Sequence, residues 1–160
     1  MQRSKWIRVR PLQVSDFRFV RRLASKQPNF TSPPHYVLWL LKETNPRSCL
    51  VVEHARLGPI AYLLSLPVNN PHIKTLYVWQ LAASASGQRT GAIHLLLLAL
   101  RSLVRRMRVK LIVFSAIPNS LDFRVIRRYA HTLFGEAPRS RQRLPSTVSR
   151  NEFEFVIKVR

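Results

Sequence analysis

The segment Ser84-Ala85-Ser86-Gly87-Gln88-Arg89-Thr90-Gly91 is a small, polar, glycine-containing turn. It lies between the apolar run Leu76–Ala83 and a leucine-rich run that begins near Ala92. Read as strand, turn and helix, this arrangement makes an anion site. The first backbone N–H groups of a helix have no partner inside it, and the macrodipole concentrates partial positive charge there. Pyrophosphate is the natural occupant. Amide donors and the helix dipole would do such binding without any special side chain. The spacing fits neither G-x-x-x-x-G-K-[ST] nor G-x-G-x-x-G. The alternative is an ordinary β–α turn.

Residues able to move a proton are few near this segment. The run Lys74–Ala83 contains no Asp or Glu, and Gln80 cannot act as a base. His72 and His94 are candidate bases, each equally readable as a structural or merely exposed histidine. The single Cys49 opens an apolar run, reads as core rather than nucleophile, and fits a reducing compartment. No metal ligand set is expected.

These groups must be positioned by a chain of 160 residues that is 46% apolar, enough for one domain over residues 1–160 with a sizeable core. Its 27 Lys and Arg against 7 Asp and Glu give a formal charge of +20. Such a field attracts polyanions, nucleic acid or acidic partners, the alternative being an arginine-biased solvated surface. The basic clusters are Arg101, Arg105, Arg106 and Arg108; Arg124, Arg127 and Arg128; and Arg139, Arg141 and Arg143. Together they could meet roughly six to ten phosphates. No RRM, KH or zinc-finger pattern accompanies them, so reading of base sequence is unsupported. The apolar runs are too short to span a bilayer, and Met1–Lys5 has no apolar signal segment behind it. A cytoplasmic protein without membrane attachment is expected, and a homodimer stays open.

Local pattern predicts the elements. Trp6–Val9 reads as a short strand ending before Pro11, and Ser15 or Asp16 as the cap of a helix carrying Phe17, Val20, Leu23 and Ala24. Asn29–Pro34 is a loop and Tyr36–Glu43 a second helix. Cys49–Glu53 and Ala61–Leu66 are strands joined by hairpin chemistry at Arg56-Leu57-Gly58, and Val68–Pro71 is a turn. Lys74–Ala83 is a strand, Gly91–Met107 a long helix, and Val109–Ala116 a strand buried on both faces. Pro118-Asn119-Ser120 starts a helix running through Leu133, Gly135–Ser149 is a polar loop, and Glu152–Val159 closes the sheet. The expected fold is α/β, a mixed sheet flanked by helices on both faces, in the order β-α-α-β-β-β-α-β-α-β.

Gln88-x-x-Gly91 resembles the [QR]-x-x-G-x-[GA] coenzyme A loop of the GNAT N-acetyltransferase superfamily, and the element order is similar to that fold. Within it, Tyr36–Leu41, Thr75–Gln80 and Pro118–Ser120 most resemble the diaminobutyrate acetyltransferases. The resemblance implies acetyl-CoA as donor, lying in a V-shaped opening between the two central parallel strands. It also implies transfer to a primary amine of a small amine or amino acid, diaminobutyrate-like compounds among them. The strand backbone at Leu81 and Ala83 would face the pantetheine arm, and Gln88–Ala92 the pyrophosphate. Asn119 matches a family Asn on the cofactor arm, though it reads equally as a helix cap. Trp79 and Tyr36 would wall the acceptor site.

Departures are specific. Ile93 stands where the family has Gly or Ala, and Arg89 where Gly is common. The family's thiolate-protonating Tyr falls about seven residues after that Asn, at Ile126; Tyr129 is the nearest substitute. The loop Phe30–Pro34 lacks the carboxylate that suits a diamine. A GNAT-fold protein with weakened catalysis that binds RNA or another polyanion is therefore the alternative function.

Overall fold

The computed structural model describes residues 6–27, 30–68, 71–118, 121–143 and 152–159. The strands are β1 (Ile7–Pro11), β2 (Leu50–His54), β3 (Gly58–Val68), β4 (Thr75–Ala83), β5 (Leu111–Ala116), β6 (Arg139–Arg143) and β7 (Phe153–Lys158). The helices are α1 (Phe17–Ala24), α2 (His35–Thr44), α3 (Ala85–Arg89), α4 (Ala92–Met107) and α5 (Leu121–Phe134), with a 3-10 turn at Val14–Asp16. The seven strands form one mixed sheet in the order β1-β2-β3-β4-β5-β7-β6. The expected α/β mixed sheet is what the chain adopts.

The chain falls into two compact units. The first comprises Met1–Leu66 and Gln80–Leu100. Here β1 runs antiparallel to β2, and β2 antiparallel to β3 through a hairpin whose Gly58 has φ +69°. A side chain seldom adopts that left-handed backbone, so the glycine fits the turn. Its core is built from Val20, Leu38, Val51, Ile60, Tyr62, Leu63, Leu64 and Leu96, all fully buried or nearly so. The buried positions Ala92, Leu96, Leu97 and Leu100 stand at i, i+4, i+5 and i+8, giving α4 its stripe.

The second unit comprises Pro67–Trp79 and Arg101–Arg160. Here β4 pairs in parallel with β5, from Thr75↔Leu111 to Val78↔Phe114. Ile112, Val113 and Phe114 are buried in succession, as a strand covered on both faces requires. Phe155 of β7 stacks on Phe114 (centroids 5.6 Å apart) and packs against Phe123 of α5 (4.4 Å). α4 ends at Arg108 in the left-handed region (φ 54°), where Val109 N–H closes on Val104 O at 2.9 Å. That bond is the terminating link of a Schellman motif, usually served by glycine.

Several local expectations are corrected. Gly135–Ser149 is not all loop: Arg139–Arg143 is the edge strand β6, hydrogen-bonded to β7. Its five residues are all exposed, so it shows no apolar alternation, and its strand state comes from pairing to β7. Hence β7 does not close the sheet but lies between β5 and β6. The segment after β4 is not an open turn, because Ala85–Arg89 is a short helix. β3 runs to Val68, which is strand rather than turn, and β1 includes Pro11, opposite Leu50. Neither Ser15 nor Asp16 caps α1 through its side chain. The Asp16 carboxylate instead accepts the Gln13 N–H (2.8 Å) and two Arg10 guanidinium bonds (2.7 and 2.8 Å). Among the described residues no helix is long and apolar enough to cross a membrane.

Candidate functional site

The segment after β4 is held by its own hydrogen bonds. Ser84 is the N-cap of α3: its hydroxyl accepts from Gly87 N–H (3.2 Å) and donates to Ile60 O (3.0 Å), and its amide also reaches Ile60 O (2.9 Å). The turn is thus sewn to the start of β3. Gly87 is buried against that carbonyl, where a Cβ would collide with the Ile60 oxygen, so only glycine fits. Gly91 needs glycine for another reason. A Cβ there meets nothing within 4 Å, but φ is +72°.

The amide inventory follows. The N–H of Gln88 is bonded to Ser84 O (2.8 Å), that of Thr90 to Ser86 O (3.1 Å) and that of Gly91 to Gln88 O (3.3 Å). The Thr90 hydroxyl donates to the Ser86 and Gly87 carbonyls, each at 3.1 Å. The first rung of α4 joins Leu95 N–H to Gly91 O (3.2 Å). The amides of Ala92 and Ile93 therefore precede the α4 ladder, with the positive end of its dipole behind them. Arg89 is exposed on the same turn, and no carboxylate occurs between Lys74 and Ile93. Within that stretch an anion would meet donors and no opposing charge.

Other predicted residues lie as follows. Leu81 is half-buried and Ala83 buried on β4, immediately before the turn. Tyr36 is 68% exposed on α2, its ring stacked on Trp39 with centroids 6.0 Å apart. His72, Trp79 and Tyr129 belong to the second unit: His72 is exposed, Trp79 half-buried on β4, and Tyr129 half-buried under the Arg128 guanidinium (5.9 Å). Asn119 lies outside the described residues.

A buried polar relay beside the site had no sequence signal. The Tyr62 hydroxyl donates to Gln80 Oε1 (3.0 Å), and Gln80 Nε2 donates to the Thr31 carbonyl (2.8 Å). Burial pushes the Tyr62 phenol far above its ordinary range, so it stays protonated and serves as a donor. Gln80 and Tyr62 are 18 residues apart, too far for a local motif. Cys49 is fully buried, its thiol pushed up by that burial, and it donates to Ser65 O at 3.5 Å; it is core.

No family model matches this chain, and no curated protein matches it in sequence. Solved structures do match in shape. Ard1 from Thermoplasma volcanium superposes with a TM-score of 0.79 at 16% identity, over 96% of this chain and 98% of that one. Diaminobutyrate acetyltransferase EctA from Paenibacillus lautus, in complex with L-2,4-diaminobutyric acid and coenzyme A, gives 0.70 at 20% identity, over 96% and 95%. The ribosomal-protein-S18-alanine N-acetyltransferase from Escherichia coli gives 0.67 at 15%, over 96% and 94%. The fold is that of the GNAT N-acetyltransferases. Diaminobutyrate acetyltransferase is one neighbour among several, at an identity that speaks for the fold and not for its substrate.

Proposed function

We propose that this chain is an acetyl-CoA-dependent N-acetyltransferase acting on a primary amine. One observation carries the reading. In a fold shared with coenzyme A-binding enzymes, β4 ends in a glycine-cornered turn that leaves the Ala92 and Ile93 amides ahead of the α4 ladder. The residues fit the donor's pyrophosphate: backbone donors, a helix dipole, Arg89 and no carboxylate. The β4 backbone at Leu81 and Ala83 would lie along the pantetheine arm.

Acetyl-CoA supplies a thioester whose carbonyl carbon is open to attack by a neutral amine. The protein's task is to hold the two reactants in line and give the ammonium proton a way out. Gln80, bonded at both ends of its amide, serves as a fixture of the site and not as its base. With Ile126 in place of a hydroxyl-bearing residue, the departing thiolate takes its proton from water. The acceptor is a primary amine without a matching carboxylate from Phe30–Pro34, which disfavours a diamine.

A thermal-shift titration tests the donor site. Acetyl-CoA at a hundred times its Kd should stabilise the wild type by about 2.7 kcal/mol. Gly91→Glu should abolish the shift by placing a carboxylate at the phosphates. Gly91→Asn, which tolerates a left-handed backbone, should fold and keep it. A full shift in folded Gly91→Glu would remove this site.

A further inference from the structure

A cleft of about 290 Å³ lies on the first unit, lined by Phe19, Arg22, Leu23, Lys26, Leu57, Pro59, Ile60, Ser84 and Ser86. Two features set its chemistry. The walls are mainly apolar, and the charged groups are all cations. Arg22 and Lys26 stand four residues apart at the end of α1, and neither pairs with a carboxylate among the described residues. Two full charges there outweigh the fractional negative charge of a helix C-terminus.

We infer that this cleft binds a phosphomonoester attached to an apolar body. A phosphomonoester carries nearly two negative charges at neutral pH and three acceptor oxygens. Arg22 supplies a planar fork, Lys26 a compact ammonium, and Ser86 a hydroxyl. A monocarboxylate would balance only one of the two cations. The Ser84 hydroxyl is committed to Gly87 and Ile60, so it shapes the wall and does not bind. Phe19, Leu23, Leu57, Pro59 and Ile60 would cover the apolar body, whose burial is favourable in proportion to the area removed from water. The inference is carried by the α1 cations, the hairpin and Ser86, and needs neither Gly91 nor the α4 amides.

Calorimetric titration of the full chain with phenyl phosphate at low salt tests it. Binding is expected, at least tenfold tighter than benzoate. Each cation replaced should weaken it roughly tenfold, so Arg22→Gln with Lys26→Gln should lose about a hundredfold. Both side chains are exposed, so the melting temperature should hold. Leu57→Glu, which puts a carboxylate at the mouth, should weaken binding independently. Competition identifies the source of the phosphate. Phenyl phosphate that binds alongside saturating coenzyme A marks a separate phosphorylated ligand. Displacement by coenzyme A but not by its 3′-dephospho form marks the nucleotide's own phosphomonoester. No binding to the wild type, equal affinity for benzoate, or undiminished affinity in the double variant would each overturn the assignment.

Discussion

Arg10 on β1 and Arg141 on β6 each reach a glutamate on the neighbouring strand, Glu53 and Glu154, yet the two sheet edges differ in kind. The Arg10 side chain is 12% exposed and holds Asp16 with two bonds of 2.7 and 2.8 Å plus Glu53 at 3.1 Å, while Arg8 grips the other Glu53 oxygen at 2.7 Å. Arg141 is 61% exposed at 3.3 Å from its partner, and Arg139 is 71% exposed at 3.6 Å from Glu136. The first cluster is multidentate and shielded at Arg10 and Asp16, with only the buried Nε among the Arg10 guanidinium nitrogens lacking a hydrogen-bond partner. The second is solvated and loose, and most of its charge points outward. An arginine count alone therefore says little about partners; a good part of the charge at one edge is structural.

Breaking the shielded cluster should have the largest effect. Asp16→Ala leaves Arg10 largely buried without its main partner and removes the acceptor for the Gln13 amide. Loss of one partner from a buried pair costs about 3 kcal/mol or more, which is roughly ten degrees in Tm for a chain this long. A melt lowered by only a degree or two would put this edge on the same footing as the other.

The acid limb sharpens the comparison. Hydrogen bonds from Arg10, then Arg8, hold the Glu53 carboxyl below the usual carboxylate range. The folded state therefore binds that proton less readily than the unfolded state. The stabilisation is present above the ordinary carboxylate pKa of about 4.3 and is lost as pH falls through the depressed folded value. Melting temperature should be flat from pH 7 to about 5 and drop below that, and Glu53→Gln should lower the plateau while flattening the drop. A parallel acid limb in the variant would remove Glu53 from the account.

The smallest effect on stability belongs to β6. Replacing Arg139, Arg141 and Arg143 by Gln should change stability by about 1 kcal/mol or less, because exposed pairs contribute little. The same change tests whether the outward charge meets polyanions. If RNA is retained at low salt, the slope of log affinity against log salt should shrink by about two for three lost phosphate contacts. An unaltered slope would exclude this edge as a contact surface.

Much of the scaffold is written in local pattern. Leu76–Ala83 is an apolar run, α4 carries its leucine stripe, and the unbroken run in β5 marks a strand covered on both faces. Gly58 announced its hairpin. What escaped was set by distant partners. Arg139–Arg143 has no apolar alternation and is a strand only because β7 is there to pair with it. Ala85–Arg89 has turn composition, and its central Gly87 answers to the Ile60 carbonyl, 27 residues earlier. Asp16 has the composition of a cap, but Arg10 reclaims it as a buried anion. The candidate donor site was legible as a strand, turn and helix; how its amides are allotted was not, because that depends on how tightly the turn winds.

The bond from Gln80 to the Thr31 carbonyl has a consequence for access. Thr31 cannot swing away from β4 without stripping the Gln80 amide of its acceptor. That loss costs about 1–3 kcal/mol, so the unlatched form would make up from roughly a sixth to under a hundredth of molecules at any moment. Gln80 would then act as a latch that is closed in most molecules, and anything that must pass beneath Thr31–Pro34 would meet the open form only in the minority.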